Sequence, residues 1–206
     1  MSVKTIVFED LEVDVTEGVY EPAEDTFLLC QHLNITQGDR LLEIGTGCGL
    51  VAIVAAKKGA HVVATDQSPL AVKNARKNVA HNNFRDRIEV RLGWLFEPIH
   101  QDERFTVIAF NPPYLPGTQK DPAFDSAWSG GKDGREITEA FLLQCTKFLD
   151  AEGRLLLVQS SLSNPDKTGQ MLKTLFHESS IKCEEKFFFE HIILFEAKRP
   201  RQKYSD

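Results

Sequence analysis

The sequence predicts an α/β chain: a doubly wound, mostly parallel seven-stranded sheet with an antiparallel C-terminal strand pair, preceded by a short N-terminal hairpin. Three observations carry this reading. From residue 40 onward, apolar runs of strand length alternate with helical patterns. The run Phe105-Thr-Val-Ile-Ala-Phe110 is apolar at five of its six positions, as a strand covered on both faces requires. Near the C-terminus, Lys182 to Phe189 and His191 to Lys198 follow each other too closely for a helical crossover, so they pair antiparallel.

The 206 residues, 42% of them apolar, suffice for one domain with a sizeable core. It is expected to span 1–198, with a hairpin at 5–15, a substrate loop at 111–133 and an unstructured tail at 199–206. No apolar run is long enough to span a bilayer, and the start Met-Ser-Val-Lys lacks a signal-peptide core, so a soluble, cytoplasmic protein with no membrane partner is expected. Cysteines 30, 48, 145 and 183 show no Cys-x-x-Cys spacing and indicate neither a zinc site nor a disulfide framework. A net charge of −6 opposes a stand-alone duplex binder, because neutralising phosphates requires a basic face. Lys73, Arg76, Lys77, Arg85, Arg87 and Arg91 form a local basic cluster that reads as a solvated helix face and loop or as a patch for nucleic acid.

Thr5 to Val15 alternate apolar and polar residues around a Glu9-Asp10 turn, the pattern of a hairpin. Gly18-Val-Tyr-Glu-Pro-Ala-Glu-Asp-Thr26 leads into a helix reaching about Leu33, with Pro22 placed in its first turn and Glu24 and Asp25 at its positive end. Arg40-Leu-Leu-Glu-Ile44 is a strand, and Gly45-Thr-Gly-Cys-Gly49 a glycine-rich turn opening a helix from Leu50 to Lys58. Glycine at 45, 47 and 49 lets the backbone bend sharply and approach a ligand at the helix N-terminus. His61 to Asp66 is the next strand, ending in an acid twenty-one residues beyond Gly45 and suited to accept ribose hydroxyl hydrogens. Ser68 and Pro69 are the N-cap and first residue of a helix over Leu70 to Asn82, and Ile88 to Leu92 is a short strand. Gly134 to Asp150 returns to helical periodicity with Ile137, Phe141, Leu142 and Phe148 inward. Leu155 to Val158 is a buried strand and Gln170 to Glu178 a helix.

Two features carry chemistry. The glycine turn suits a nucleoside-type cofactor, either a dinucleotide or S-adenosylmethionine. Glu43 separates these, since a carboxylate there repels a pyrophosphate and attracts an ammonium and a sulfonium. The second feature is Asn111-Pro-Pro-Tyr114 at the end of the Phe105 strand. Two prolines remove the chain from the sheet in a rigid extended turn, which presents Asn111 at the carboxyl end of a strand, where open α/β sheets bind ligands. Its carboxamide oxygen and the proline carbonyls are acceptors suited to a planar NH2 group, with Tyr114 as a roof. An isolated Asn-Pro-Pro is equally an ordinary strand-to-loop turn. The Pro/Gly/Asp/Ser-rich stretch 115–132 reads as a lid or substrate loop.

Taken together, these residues resemble the class I, Rossmann-like methyltransferases that use S-adenosylmethionine and yield S-adenosylhomocysteine, and within them the HemK-like protein-glutamine N5-methyltransferases. Val19-Tyr-Glu-Pro-Ala-Glu-Asp-Thr26 and Ala127-Trp-Ser-Gly-Gly-Lys-Asp-Gly-Arg-Glu136 look like the short HemK2 branch. The resemblance covers about residues 15 to 198. It implies that Tyr20, Glu24 and Thr26 border the cofactor, that Glu43, Gly45 and Gly47 hold its methionine end and Asp66 its ribose, and that Asn111, Pro112, Pro113 and Tyr114 carry catalysis. One departure is informative. Family members place Asp-Leu after the third parallel-sheet strand to meet the adenine amino group, whereas this chain has Trp94-Leu95. An indole cannot accept that bond, but it can cover the adenine face by stacking.

The resemblance also implies a substrate, the glutamine in the Gly-Gly-Gln loop of a translation release factor. It implies a partner as well, a small zinc-binding activator docking at the sheet edge over Phe84, Leu92, Trp94 and Phe96. Two rivals remain: a methyltransferase acting on an exocyclic amino group of adenine or guanine in RNA or DNA, which the same corner can hold, and a catalytically inactive binding scaffold.

Overall fold

The computed structural model describes residues 2–113, 135–188 and 190–201. The chain divides into two compact units, Met1–Phe105 and Thr106–Asp206.

The first unit opens with a hairpin, β1 (Val3–Phe8) and β2 (Leu11–Thr16), in register from Phe8 against Leu11 to Val3 against Thr16. Its turn is Glu9-Asp10, with Glu9 at φ 53°. Leu11, Val13 and Val15 alternate inward along β2, so the hairpin has one buried face. Helix α1 (Glu24–His32) starts after Ala23 with no side-chain cap, which leaves Pro22 just before the helix rather than in its first turn as expected.

Next come β3 (Arg40–Ile44), α2 (Leu50–Lys57), β4 (His61–Asp66), α3 (Pro69–His81) and β5 (Ile88–Leu92). The strands are parallel in the order β5-β4-β3, with Arg40 opposite His61 and Val62 opposite Ile88. Every residue of α2 from Leu50 to Ala56 is buried. Such a helix has no polar face to offer solvent, and its mix of alanine and branched residues lets neighbours approach closely. Ser68 caps α3 as expected, its Oγ accepting from the Ala71 N–H at 3.3 Å, with Pro69 in the first turn.

The second unit holds β6 (Phe105–Phe110), which starts at its boundary, then α4 (Glu136–Cys145), β7 (Leu149–Ser160), a 3-10 turn (Ser161–Ser163), α5 (Pro165–Leu175), β8 (Phe176–Lys186) and β9 (His191–Pro200). The order is β6-β7-β9-β8; β7 and β8 both pair with β9 antiparallel, and a bulge interrupts β8 between Ile181 and Cys183. With β3, β4 and β5 these make the seven strands of a mostly parallel sheet ending in an antiparallel pair. Phe141 and Leu142 are fully buried, and the Phe110 and Phe141 rings lie 4.7 Å apart.

Both helix expectations in this unit need correcting. The helix placed over 134–150 stops at Cys145, and Leu149 and Asp150 belong to β7, so Phe148 lies beyond the helix and is half-buried, as is Ile137. The helix placed over 170–178 runs from Pro165 to Leu175, because Asn164 caps it by accepting from the Lys167 N–H at 3.1 Å. Phe176 to Glu178 are drawn into β8 by pairing with β9, which continues to Pro200, two residues into the expected tail. Residues 202–206 lie outside the described residues. Among the described residues no helix is long and apolar enough to cross a membrane. Cys30, Cys48 and Cys145 are buried free thiols, and burial pushes Cys48 and Cys145 up to about 12, far from thiolate reactivity.

Candidate functional site

Strand β3 delivers Glu43 and Ile44 to the glycine turn, where Gly45, Gly47 and Gly49 take φ of 69°, 55° and 91°. Side chains rarely adopt this left-handed region, so the turn needs glycine for its backbone alone. A Cβ at Gly47 would meet nothing within 4 Å, so open space faces the turn there.

Glu43 is 3% exposed. Its Oε2 accepts from Thr46 Oγ1 at 2.7 Å, and its carboxyl also accepts the Ala52 N–H, one of the free donors in the first turn of α2. Burial nevertheless dominates: together with the nearby Asp66 it lifts the group to about 8, against the opposing effect of those two bonds. The charge on Glu43 used to choose between cofactors is therefore largely withheld at neutral pH until a cation arrives. The preference survives in a stronger form, since a sulfonium or ammonium draws the group into its ionised state and a pyrophosphate opposes it.

Asp66 ends β4. Its Oδ2 accepts from the Gly47 N–H and its Oδ1 from the Ser68 N–H, both at 2.9 Å. Burial raises its pKa, and the Ser68, Gly47 and Gln67 N–H groups oppose the rise. A carboxylate offers about four acceptor directions and three N–H groups engage this one, so about one direction is left for a ribose hydroxyl. Asp66 is thus both a wall of the site and a brace for the glycine turn.

The entry to α1 is tied together. Tyr20 Oη donates to both oxygens of Asp25 at 2.8 Å, and the Thr26 N–H reaches Asp25 Oδ1 at 2.6 Å. Asp25 and Thr26 are buried, while Glu24 is exposed. Asp25 rather than Glu24 is therefore the acid that organises this stretch. Its place five residues after an isolated tyrosine was the available signal.

Beyond β5, the Gly93 N–H donates to the Asp66 carbonyl at 3.0 Å, which fastens the next segment beside the end of β4. A Cβ on Gly93 would lie 2.7 Å from Pro98 Cδ, so the close turn requires glycine. Trp94 is half-buried, and Leu95 is buried at φ 45°. β5 is the edge strand on this side, with Leu92 half exposed and Phe84 and Trp94 half-buried. Phe96, expected in the exposed patch, is buried, because the turn closed by the Glu97 N–H on the Trp94 carbonyl carries it inward. The basic cluster is dispersed: Arg76 donates to the Val90 carbonyl, Lys77 pairs with Asp14, and Arg91 is held by Glu89 and Glu103, which keeps both carboxyls below the usual range. Arg87 likewise donates to the Gly59 carbonyl at 3.3 Å, so the three arginines Arg76, Arg87 and Arg91 serve the fold.

In the second unit, Asn111 directly follows β6 and is half-buried, Pro112 is buried and Pro113 half-buried. Tyr114 and the loop at 115–132 lie outside the described residues. Arg135, the next described residue, is buried, with Nε on Glu139 at 2.9 Å and Nη1 on the carbonyls of Ser163 and Asn164 and on Thr168 Oγ1. It ties the start of α4 to the 3-10 turn and the first turn of α5, a role its place in a Gly-rich motif did not reveal.

Residues 18–189 match the family model described as the methyltransferase small domain. The chain is 40% identical over 199 residues to a Methanocaldococcus jannaschii protein provisionally named a protein N5-glutamine methyltransferase, covering 94% of this chain and 98% of that one. It is 32% identical over 173 residues to human Methyltransferase HEMK2, covering 76% and 78%. Among solved structures, it is similar to the E. cuniculi Mtq2–Trm112 complex, responsible for methylation of the translation termination factor eRF1, at a TM-score of 0.70 and 25% identity over 88% of this chain and 99% of that one.

Proposed function

The chain belongs to the methyltransferase small domain family, on the branch of the HEMK2 methyltransferases, and we propose that it uses S-adenosylmethionine to methylate N5 of the glutamine in the Gly-Gly-Gln loop of a translation release factor. The observation that carries the reading is Asn111, presented half-buried at the carboxyl end of β6 on a proline-locked corner, in a chain whose relatives are named for glutamine methylation.

The buried Glu43, the open turn at Gly47 and the braced Asp66 fit a cationic nucleoside better than a phosphate-bearing one. When bound, S-adenosylmethionine supplies an electrophilic methyl group on a sulfonium. Glu43 balances positive charge at the methionine end, Asp66 accepts from ribose, and Trp94 covers the adenine face in place of the usual carboxylate.

An amide nitrogen is a poor nucleophile because its lone pair is delocalised into the carbonyl. The Asn111 side-chain oxygen and the Pro112 carbonyl hold its two hydrogens, which favours the pyramidal nitrogen of the transition state over the planar ground state. Pro113 keeps the corner rigid, and positioning supplies most of the acceleration. The alkylated nitrogen is strongly acidic, so its proton leaves without a dedicated base.

A small zinc-binding activator docks at the β5 edge, over the exposed Leu92 beside Phe84 and Trp94. The test is mass spectrometry of a release factor incubated with the protein, cofactor and that partner. A single methyl on the loop glutamine is expected, and transfer to tRNA or rRNA instead would move the assignment to a nucleic-acid amine. Asn111→Ala should abolish turnover while leaving cofactor affinity within a few-fold; full activity in that variant overturns the assigned corner.

A further inference from the structure

Asn74, Asn78 and Asn82 stand four residues apart on one face of α3 and its cap. Their carboxamides run along the free edge of β2. Asn74 accepts from the Thr16 N–H and donates to the Asp14 carbonyl, both at 2.7 Å. Asn78 accepts from the Asp14 N–H at 3.0 Å and donates to the same carbonyl at 2.7 Å. Asn82 donates to the Glu12 carbonyl at 2.8 Å. The row acts as a third strand, satisfying backbone groups that an edge strand otherwise exposes.

Asn78 does one thing more. It also donates to the carbonyl of Cys48, in the middle of the glycine turn, at 2.7 Å. It is 1% exposed, so these bonds form away from water, where an unmet carbonyl is expensive. Cys48 lies between Gly47 and Gly49, whose backbones rotate at little steric cost, so the peptide plane between Cys48 and Gly49 has weak local restraint. Its N–H is held by the Thr46 carbonyl at 2.8 Å and its C=O by Asn78. One turn earlier on α3, Ala75 packs so closely that a Cβ on Gly49 would lie 3.2 Å from its own.

We propose that Asn78 is a positioning residue that sets the Cys48–Gly49 peptide and couples the N-terminal hairpin to the glycine turn, so that hairpin order and cofactor affinity rise and fall together. The inference rests on the reading that this turn holds S-adenosylmethionine. Asparagine suits the post because one planar group offers two donors and an acceptor in fixed directions. Aspartate at 78 would set a carboxylate against the Asp14 and Cys48 carbonyls. Asn74 bonds the hairpin through Thr16 and Asp14, while Asn78 alone of the two reaches the Cys48 carbonyl, which makes Asn74 the internal control.

The experiment compares the unaltered protein, Asn74→Ala and Asn78→Ala by calorimetric titration with S-adenosylmethionine, thermal unfolding and steady-state kinetics. Both variants should lower the unfolding temperature, but Asn78→Ala should weaken cofactor binding by about tenfold beyond Asn74→Ala, the loss of one buried hydrogen bond. KM for the cofactor should rise with it while kcat stays within a few-fold. Equal affinities at matched thermal stability would reduce Asn78 to a structural residue. In the unaltered protein, saturating cofactor should slow hydrogen exchange at the Asp14 and Thr16 amides. Unchanged exchange despite binding overturns the coupling even if the Asn78 variant does not fold. No binding at all by the unaltered protein overturns the cofactor reading itself.

Discussion

Glu43 carries a measurable signature at the scale of a single residue. Its pKa in the folded protein, about 8, stands above the usual 4.5, so the folded state binds a proton that the unfolded state has released. The resulting stability is fully present below about pH 4.5 and is lost as pH rises through about 8, at most roughly 5 kcal/mol for a shift of this size. Urea unfolding should therefore show a falling free energy between about pH 5 and 8, and Glu43→Gln should flatten that slope. If the proposed cofactor binds, its positive charge should ionise Glu43, and titration near neutral pH in buffers of different ionisation enthalpy should report proton release that Glu43→Gln abolishes. A carboxylate just before a glycine turn was legible in the sequence. Its protonation state was not, because that depends on burial and on Thr46, Ala52 and Asp66 converging from three elements. Asp25 was half legible, since its spacing from Tyr20 lies in the sequence while the bond between them forms only in the folded chain.

For the elements, caps and glycines decide where helices begin. Ser68→Ala should cost about 1 kcal/mol of stability by freeing the Ala71 N–H. Gly49→Ala should cost more, because it combines a φ of 91° with a 3.2 Å approach to Ala75; chemical denaturation of the two variants side by side checks the order. Asn164-Pro165 is the same kind of start signal as Ser68-Pro69, and weighting it alike would have placed α5 correctly. The ends of α4 and α5 were less accessible. Leu149 and Phe176 have helical patterns behind them, yet Leu149 opens β7 and pairing with Pro200 of β9 claims Phe176 for β8. Sheet partners distant in sequence outweigh local propensity there.

Across the whole molecule, a ligand that binds only the folded state stabilises it by mass action. S-adenosylmethionine at about a hundred times its Kd should add roughly 2.7 kcal/mol and raise the unfolding temperature by roughly 5–10 °C for a chain of this length. No shift in thermal scans at saturating cofactor would count against the cofactor assignment, with dinucleotides as the control. The acidic balance of the chain weighs against nucleic acid, and the bonds of Arg76 to the Val90 carbonyl and of Arg91 to Glu103 draw part of the basic cluster into the fold.

The sequence by itself determined the alternation of strands and helices, the glycine turn with Glu43 before it and Asp66 at the end of the next strand, and the proline-locked Asn111, because each is written in a short local run and its place in the strand–helix order. Tertiary structure alone decided that three asparagines of α3 complete the hairpin and clamp Cys48, that Phe96 turns inward, and that Glu43 keeps its proton. Those outcomes depend on which backbone groups and which dielectric each side chain meets once the chain has folded, and spacing along the chain does not encode them.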